Sequence, residues 1–401
     1  MSARRWAWLT LIIGLAAFLV VFWWRVPWQP VPGGTPAAVP ASEVFTREEI
    51  ARAEHYSRWI RVWSWSSLVI SLLTVVALAR SQRLGEWLSR GRWAPRVAIA
   101  VVVVTTVGML TTLPTGLAGW RLRRMHGLST QHWWEYLRDD LQSTGIQLAV
   151  LSLMLIVAVG LARKRPRDWP LWAGLLAAGF VVAGSYVYPV VIEPAFNDFS
   201  SLPDGPLRTQ VFELADAQHV VIEDVLVADA SRRTTTLNAY VSGFGATRRV
   251  VLYDNLVEEL PDDEVLAVVA HELAHASHGD VVTGTLLGAA GTWCGVGLLG
   301  LLMGGRMSSA RTVPLVLALI AFGSLAAAPV ENAISRRLET RADYEGLLAT
   351  GDGAPVVRMQ RQLALHSLAD ATPPRWMHLW FGSHPTTLQR IALAQRFTTE
   401  P

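Results

Sequence analysis

The stretch VLAVVAHELAHASHGDVV, Val265 to Val282, sets two histidines and a glutamate among Val, Ala and Leu. Ionisable groups are costly in such company unless they find partners. His271 and His275 are four residues apart, so on a helix both rings leave one face and can reach one metal ion at roughly 2.0–2.1 Å. Glu272 borders the same face, placed to take a proton from a water activated by that ion. Two ligands leave such a site incomplete, so the pattern demands a third.

The rest of the chain decides where the site can stand. Of 401 residues, 51% are hydrophobic and 17% charged, with a mean hydropathy of +0.31. That balance is too apolar for an ordinary soluble protein. Apolar runs at about 6–24, 62–79, 97–118, 146–162, 170–192, 281–303 and 312–333 predict seven spans, each near the ~20 residues that cross a ~30 Å hydrocarbon core. The first run follows SARR and closes with FWWR, which predicts a retained anchor with an aromatic belt. Cys294 is the single cysteine, so disulfides and a thiolate zinc site are excluded. A pI near 9.3 does not point to nucleic acid, because the arginines gather at span ends, as in RSQRLGEWLSRGRWAPR and RKRPR. Lys164 is the sole lysine, an arginine bias in keeping with a GC-rich bacterial genome. A channel or transporter would carry charges within several spans, and these spans are nearly free of them.

The organisation expected is a membrane part over 1–192, a first catalytic segment over 193–280, a two-span hairpin over 281–333 and a second catalytic segment over 334–401. In the first catalytic segment a Pro/Gly-punctuated loop, EPAFNDFSSLPDGPL, precedes a helical LRTQVFELADAQHV. VIEDVLVAD and NAYVSGFGATRRVVLYD read as β, the second as a hairpin feeding the motif helix. That helix should start after Pro261, with DDE complementing its dipole, and end at Gly279. The chain is therefore mainly α, with seven spans and a small α+β metallopeptidase domain.

The third ligand is sought downstream. ENAISRRLETRADYEG, 331–346, should continue span 7 as helix and place Glu331, Ser335, Glu339 and Asp343 on one stripe. Glu339 is the expected ligand, and Asp343 one turn on could accept the free ring N–H of a zinc-bound histidine. The competing expectation is an exposed helix where Glu339 balances Arg336, and Asp343 balances Arg341 or Arg337. A third histidine six residues beyond the motif is absent, since that position is Val281. His278 is expected to be a polar neighbour only. His384 of SHP, or less favourably Arg390, could stabilise an oxyanion; Arg390 is otherwise placed among the groups supporting the ligands. Asn238, Ala239 and Tyr240 form an edge on which an extended peptide could add, or merely part of a hairpin covering the motif helix. Gly284, Gly288, Gly291 and Gly295 of span 6 could line a cavity or allow close packing.

HELAH, SRRLETRAD and SHPTTLQRI resemble, in order and spacing, the type I CAAX prenyl proteases, integral-membrane zinc metallopeptidases related to the heat-shock protease HtpX. The similarity continues through EPAFNDFSSLPDGPL, NAYVSGFGATRRVVLYDNLVEEL and HGLSTQHWW, while the first 60 residues add a Pro-rich connector, PWQPVPGGTPAAVP. The resemblance implies one Zn2+ per chain on His271, His275 and Glu339, Glu272 as general base, and His384 beside the scissile carbonyl. It also implies a water-filled chamber enclosed by the seven helices. The expected substrate is a peptide or protein that is membrane-associated or lipidated. An HtpX-type quality-control protease and a catalytically idle membrane scaffold are the rival readings. The expected location is a bacterial cell membrane, multi-pass, and the sequence does not indicate an oligomeric state. Seven spans put the amino terminus and loops 80–96, 163–169 and 304–311 on one face, and both catalytic segments on the other.

Overall fold

The computed structural model describes residues 2–398. Among the described residues, seven helices are long and apolar enough to cross a membrane: Ala3–Arg25, Arg47–Arg80, Trp93–Met125, Trp133–Lys164, Trp169–Phe196, Asp280–Ser308 and Ala310–Thr350. Most extend well past the apolar runs that define them. Span 2 begins fifteen residues before its apolar run because Thr46 and Glu49 form a capping box: Thr46 Oγ1 accepts from Glu49 N–H at 3.2 Å, and Thr46 N–H donates to Glu49 at 2.8 Å. Span 7 includes one unbroken 38-residue helix, Val313–Thr350, which leaves the apolar run and continues as a polar helix.

Spans 2, 3, 4, 5, 6 and 7 each pack on the next, and span 7 returns to spans 2 and 3, while span 1 lies outside against spans 5 and 6. Helices spaced 8–10 Å apart in a six-membered ring leave room for about one further helix at the axis. The ring is filled at one end only. There Leu88, Val101, Val159, Trp169, Met307 and Val313 share one buried cluster, so loops 80–96, 163–169 and 304–311 gather on a common face. Elsewhere the spans bury little of their surface.

Span 1 docks through glycines other than those expected. A Cβ on Gly297 would lie 2.4 Å from Leu11 N, and one on Gly300 3.0 Å from the Ala7 side chain. Gly284 and Gly295 meet nothing within 4 Å, and Gly288 and Gly291 make only ordinary contacts at 3.6 and 3.9 Å. Close packing is therefore set further along the helix than the four-glycine pattern suggests.

The catalytic segments meet at the other end of the ring. Their sheet has four strands, β1 (Phe199–Ser201), β2 (Asp224–Ala228), β3 (Ala239–Ser242) and β4 (Arg249–Tyr253), in the order β1-β2-β4-β3. The expected hairpin is β3 with β4, antiparallel, and β2 joins β4 in parallel. β1 emerges from the punctuated loop and pairs antiparallel with β2. One core joins this sheet to helix Pro206–Ala217, the motif helix Asp262–His278, and the helices Gly353–Ser367 and Thr387–Gln395. Leu273 and Leu347, both nearly inaccessible to solvent, belong to it, and truncating either to Ala should cost about 2–5 kcal/mol.

Candidate active site

The motif helix opens with Asp262, Asp263 and Glu264 in its first turn and ends at Gly279, whose φ of 65° lets the chain turn directly into span 6. Arg358 ties its start to the next segment by hydrogen-bonding Glu264 at 3.0 Å. The span 7 helix crosses the motif helix closely because residue 346 is glycine; a Cβ there would stand 3.1 Å from the His271 backbone nitrogen.

The crossing brings three side chains to one point. Donor atoms of His271, His275 and Glu339 all lie within 4.8 Å of one another. The two Nε2 atoms face each other at 3.2 Å, and Glu339 Oε2 is 3.2 Å from His271 Nε2. Despite that proximity, Glu339 Oε2 is buried without a hydrogen bond of acceptable geometry. Two imidazole nitrogens and a carboxylate oxygen converging in this way fit a divalent transition metal better than a hydrogen-bonded cluster. His384 closes the open side, its Nε2 3.3 Å from Glu339 Oε2 and its Nδ1 2.8 Å from Ser383 Oγ. Glu272 is half-buried beside the cluster.

Behind the rings stand carboxylates. His271 Nδ1 lies 3.0 Å from Asp343 Oδ1, and Arg390 Nε donates to both Asp343 oxygens at 3.0 and 2.9 Å. Arg390 is thus turned to Asp343 rather than towards the reacting side. His275 Nδ1 lies 2.8 Å from Asp280 Oδ2, and Arg341 holds the other oxygen of Asp280. Asp280 does not stand out in the sequence, and Arg341 does so only as a possible partner of Asp343. The signal was the GD pair closing the motif helix, but five residues separate Asp280 from His275, and that spacing is off-face on a continuous helix.

The charge-paired alternative for 331–346 does not form. Arg336 donates to the carbonyls of His378 and Gly382, Arg337 to that of Trp28, and Arg341 bonds Asp280. His278 Nδ1 sits 3.1 Å from its own helix carbonyl at Ala274, away from the cluster. Asn238 is exposed just before β3, and Ala239 is buried against the motif helix with Tyr240 half-buried. β3 is an edge strand with only β4 beside it, so one side of its backbone is unpaired.

Burial pulls the His275 ring down, but Asp280 and Glu339 outweigh it and push it up to about 10. The His271 ring rises for the same reason, burial opposing and the Asp343 and Glu339 contacts prevailing. A metal held by these residues would take the place of the ring protons, and Asp343 and Asp280 would then support the rings from Nδ1. Burial raises the Glu272 carboxyl above its usual range, opposed by His271 and His275, which suits a group that must accept a proton near neutrality. Burial lowers the His384 ring below the usual histidine range, with Glu339 opposing.

Residues 201–398 match the model for peptidase family M48, and residues 35–198 match the CAAX prenyl protease N-terminal model, described as five membrane helices. The chain belongs to this family. In the family-matched region 35–198 it carries spans 2 to 5, with span 1 preceding the match. An uncharacterized metalloprotease, YhfN of Bacillus subtilis, is 28% identical over 382 residues, 90% of this chain and 87% of its own length. CAAX prenyl protease 1 homolog of Arabidopsis thaliana is 33% identical over 177 residues, covering 43% of this chain and 41% of that protein. The crystal structure of Ste24p from S. mikatae superposes with a TM-score of 0.79 over 97% of this chain and 99% of that one, at 18% identity. The protein is a CAAX prenyl protease-like membrane metallopeptidase, and peptide or protein is its class of substrate.

Proposed function

We propose that His271, His275 and Glu339 hold one zinc ion, and that the enzyme cleaves peptide bonds of membrane-associated or lipidated substrates. The observation that carries this reading is the convergence of two Nε2 atoms and the hydrogen-bond-free Glu339 Oε2 on one point. Zinc bound there would lower the pKa of water toward ~7 and polarise the scissile carbonyl.

The chain supplies the remaining steps. Glu272 accepts the proton of the attacking water and passes it to the leaving amine. His384, on the open side, donates a hydrogen bond to the oxygen that gains charge. Asp343 and Asp280 hold the two imidazoles in the tautomer that leaves Nε2 free. Asn238, Ala239 and Tyr240 offer the free edge of β3 to an extended peptide. No covalent nucleophile is required.

The bacterial relative aligned over most of the chain supports a bacterial cell membrane as its location. The face bearing loops 80–96, 163–169 and 304–311 carries Arg80, Arg83, Arg90, Arg92, Arg96, Arg163, Lys164, Arg165, Arg167, Arg306 and Arg311, with Arg4 and Arg5 on the same side, against Glu86 and Asp168. The positive-inside rule favours that face as cytoplasmic, which supports the catalytic segments lying outside. Resemblance to the eukaryotic proteases would set them in the cytosol; the charge distribution of this chain favours the outward orientation.

Membranes from cells with and without Glu272→Gln, compared by proteomics, test the function. Membrane-attached precursors accumulating in the variant are expected. An unchanged membrane proteome together with unchanged peptidase activity would remove the proposal.

A further inference from the structure

A cavity of ≈ 730 Å³ lies between the Pro-rich connector after span 1 and the polar extension of span 7. Trp28, Arg336, Arg337, Thr340, Asp343 and Arg390 are among its walls. It stands on the Nδ1 side of His271, separated from the converging Nε2 atoms by the Asp343–Arg390 pair. None of the three candidate ligands lines it. It adjoins the site from behind, since Asp343, Arg390 and Pro385, the neighbour of His384, are also in its wall.

Its electrostatics are one-sided. Three guanidinium groups face a single carboxylate, Asp343, and that carboxylate is already engaged by Arg390 and His271. Among the described residues neither Arg336 nor Arg337 has a carboxylate partner. Arg336 uses Nη1 on backbone carbonyls, and Arg337 uses Nη1 on Trp28 O at 2.8 Å while its plane lies over the Trp28 ring at 4.8 Å. Each keeps further N–H donors with no such anchor, and arginine forks suit phosphate oxygens.

Depth argues for the source of the phosphate. Val26, Leu287 and Ile334 are buried together with Phe22, Trp28 and Leu338 packed on them, and Trp28 is also part of the cavity wall, so the cavity adjoins the level where spans 1, 6 and 7 leave the apolar layer. Trp23 and Trp24, 65% and 75% exposed, mark that level as the aromatic belt. Soluble phosphate and a lipid headgroup share the recognised chemistry, but a cavity at the belt meets lipid first. We propose that it binds the headgroup of an anionic phospholipid, with Arg336 and Arg337 donating to its phosphate. A lipid seated there would press on the Asp343–Arg390 pair that supports His271, and so would couple bilayer composition to the site.

The test uses full-length protein in mild detergent, challenged with equimolar phosphatidylglycerol and phosphatidylcholine and examined by native mass spectrometry. Phosphatidylglycerol should be retained preferentially. Arg336→Gln with Arg337→Gln should weaken retention roughly tenfold or more, the scale of losing a charge-assisted hydrogen bond. Because that double variant removes internal hydrogen bonds, Ala333→Phe serves as a second probe, filling the cavity while leaving both arginines. Ala333→Phe should also exclude the lipid. Equal retention of the two lipids, or retention unchanged in both variants, would overturn the proposal. Displacement by millimolar inorganic phosphate alone would instead assign the cavity to a soluble anion. A KM rise confined to free-acid over amidated peptides, with lipid retention intact, would assign it to a peptide terminus; both outcomes overturn the lipid reading.

Discussion

His275 is bonded through Nδ1 to Asp280 at 2.8 Å, so a histidine of the motif helix is held by the first residue of span 6. Asp280 is in turn gripped by Arg341 of span 7. Asp280→Asn keeps the shape but weakens the acceptor. Zinc affinity should fall 10–100-fold, as is typical when a carboxylate behind a ligating histidine is lost. Chelator competition measures this; unchanged affinity would show that Asp280 only joins the two helices.

Glu339→Ala should abolish stoichiometric zinc and peptidase activity, since two histidines alone leave the site open. Metal analysis of purified protein checks it. Glu331→Ala and Glu345→Ala are the controls, and zinc loss in either with retention in Glu339→Ala would move the third ligand.

Glu272→Gln should keep the zinc and the thermal midpoint while turnover falls by at least about 100-fold, because an amide cannot accept the proton. Peptide should still bind. A near wild-type rate would put the base elsewhere.

Gly346→Val tests the helix crossing. A side chain here must push against the His271 backbone, where even a Cβ would stand at 3.1 Å. Overpacking of this kind costs about 1–3 kcal/mol, and the displacement should loosen zinc as well. A variant with unaltered melting temperature and zinc affinity would show that the two helices can part without consequence.

Reporter fusions after Pro401 test the orientation. An active phosphatase fusion and a dark fluorescent-protein fusion are expected if the catalytic segments face outward. The reverse pattern would place them in the cytosol and make the arginine-rich loops an exception to the rule.

What could be read from the chain, and what could not, follows the range of the interactions. Helical periodicity placed His271, Glu272 and His275 on one turn region, and carried Glu339 and Asp343 along a second helix, because each relation is local and repeats every three to four residues. The position of Asp280 depends on the left-handed turn at Gly279, which no periodicity encodes. The strand Phe199–Ser201 is not legible in the sequence because three residues within a punctuated loop have too little pattern, and it pairs with Asp224–Ala228. Hydropathy located the seven spans but undercounted their length, since the polar turns of Arg47–Arg80 and Trp133–Lys164 stay helical through capping rather than apolar content. The arginines of 331–346 misled the charge-pair expectation, because backbone carbonyls and distant carboxylates took them up instead.

The helix Val313–Thr350, with 38 residues, is about 57 Å long, nearly twice the ~30 Å apolar layer. It contributes Glu339 from the same rigid rod that crosses the lipid, and a single glycine joins the histidine helix to span 6. Neither half of the site hangs on a flexible tether. The proposed cutting point therefore sits at a fixed height over the membrane, like a blade bolted to a bench, and a substrate anchored in the same bilayer would present its bond by the number of residues between anchor and blade. Selection would then depend on spacing as well as sequence: lengthening the segment between a substrate's anchor and its scissile bond by even two extended residues, roughly 6–7 Å, carries that bond past the edge.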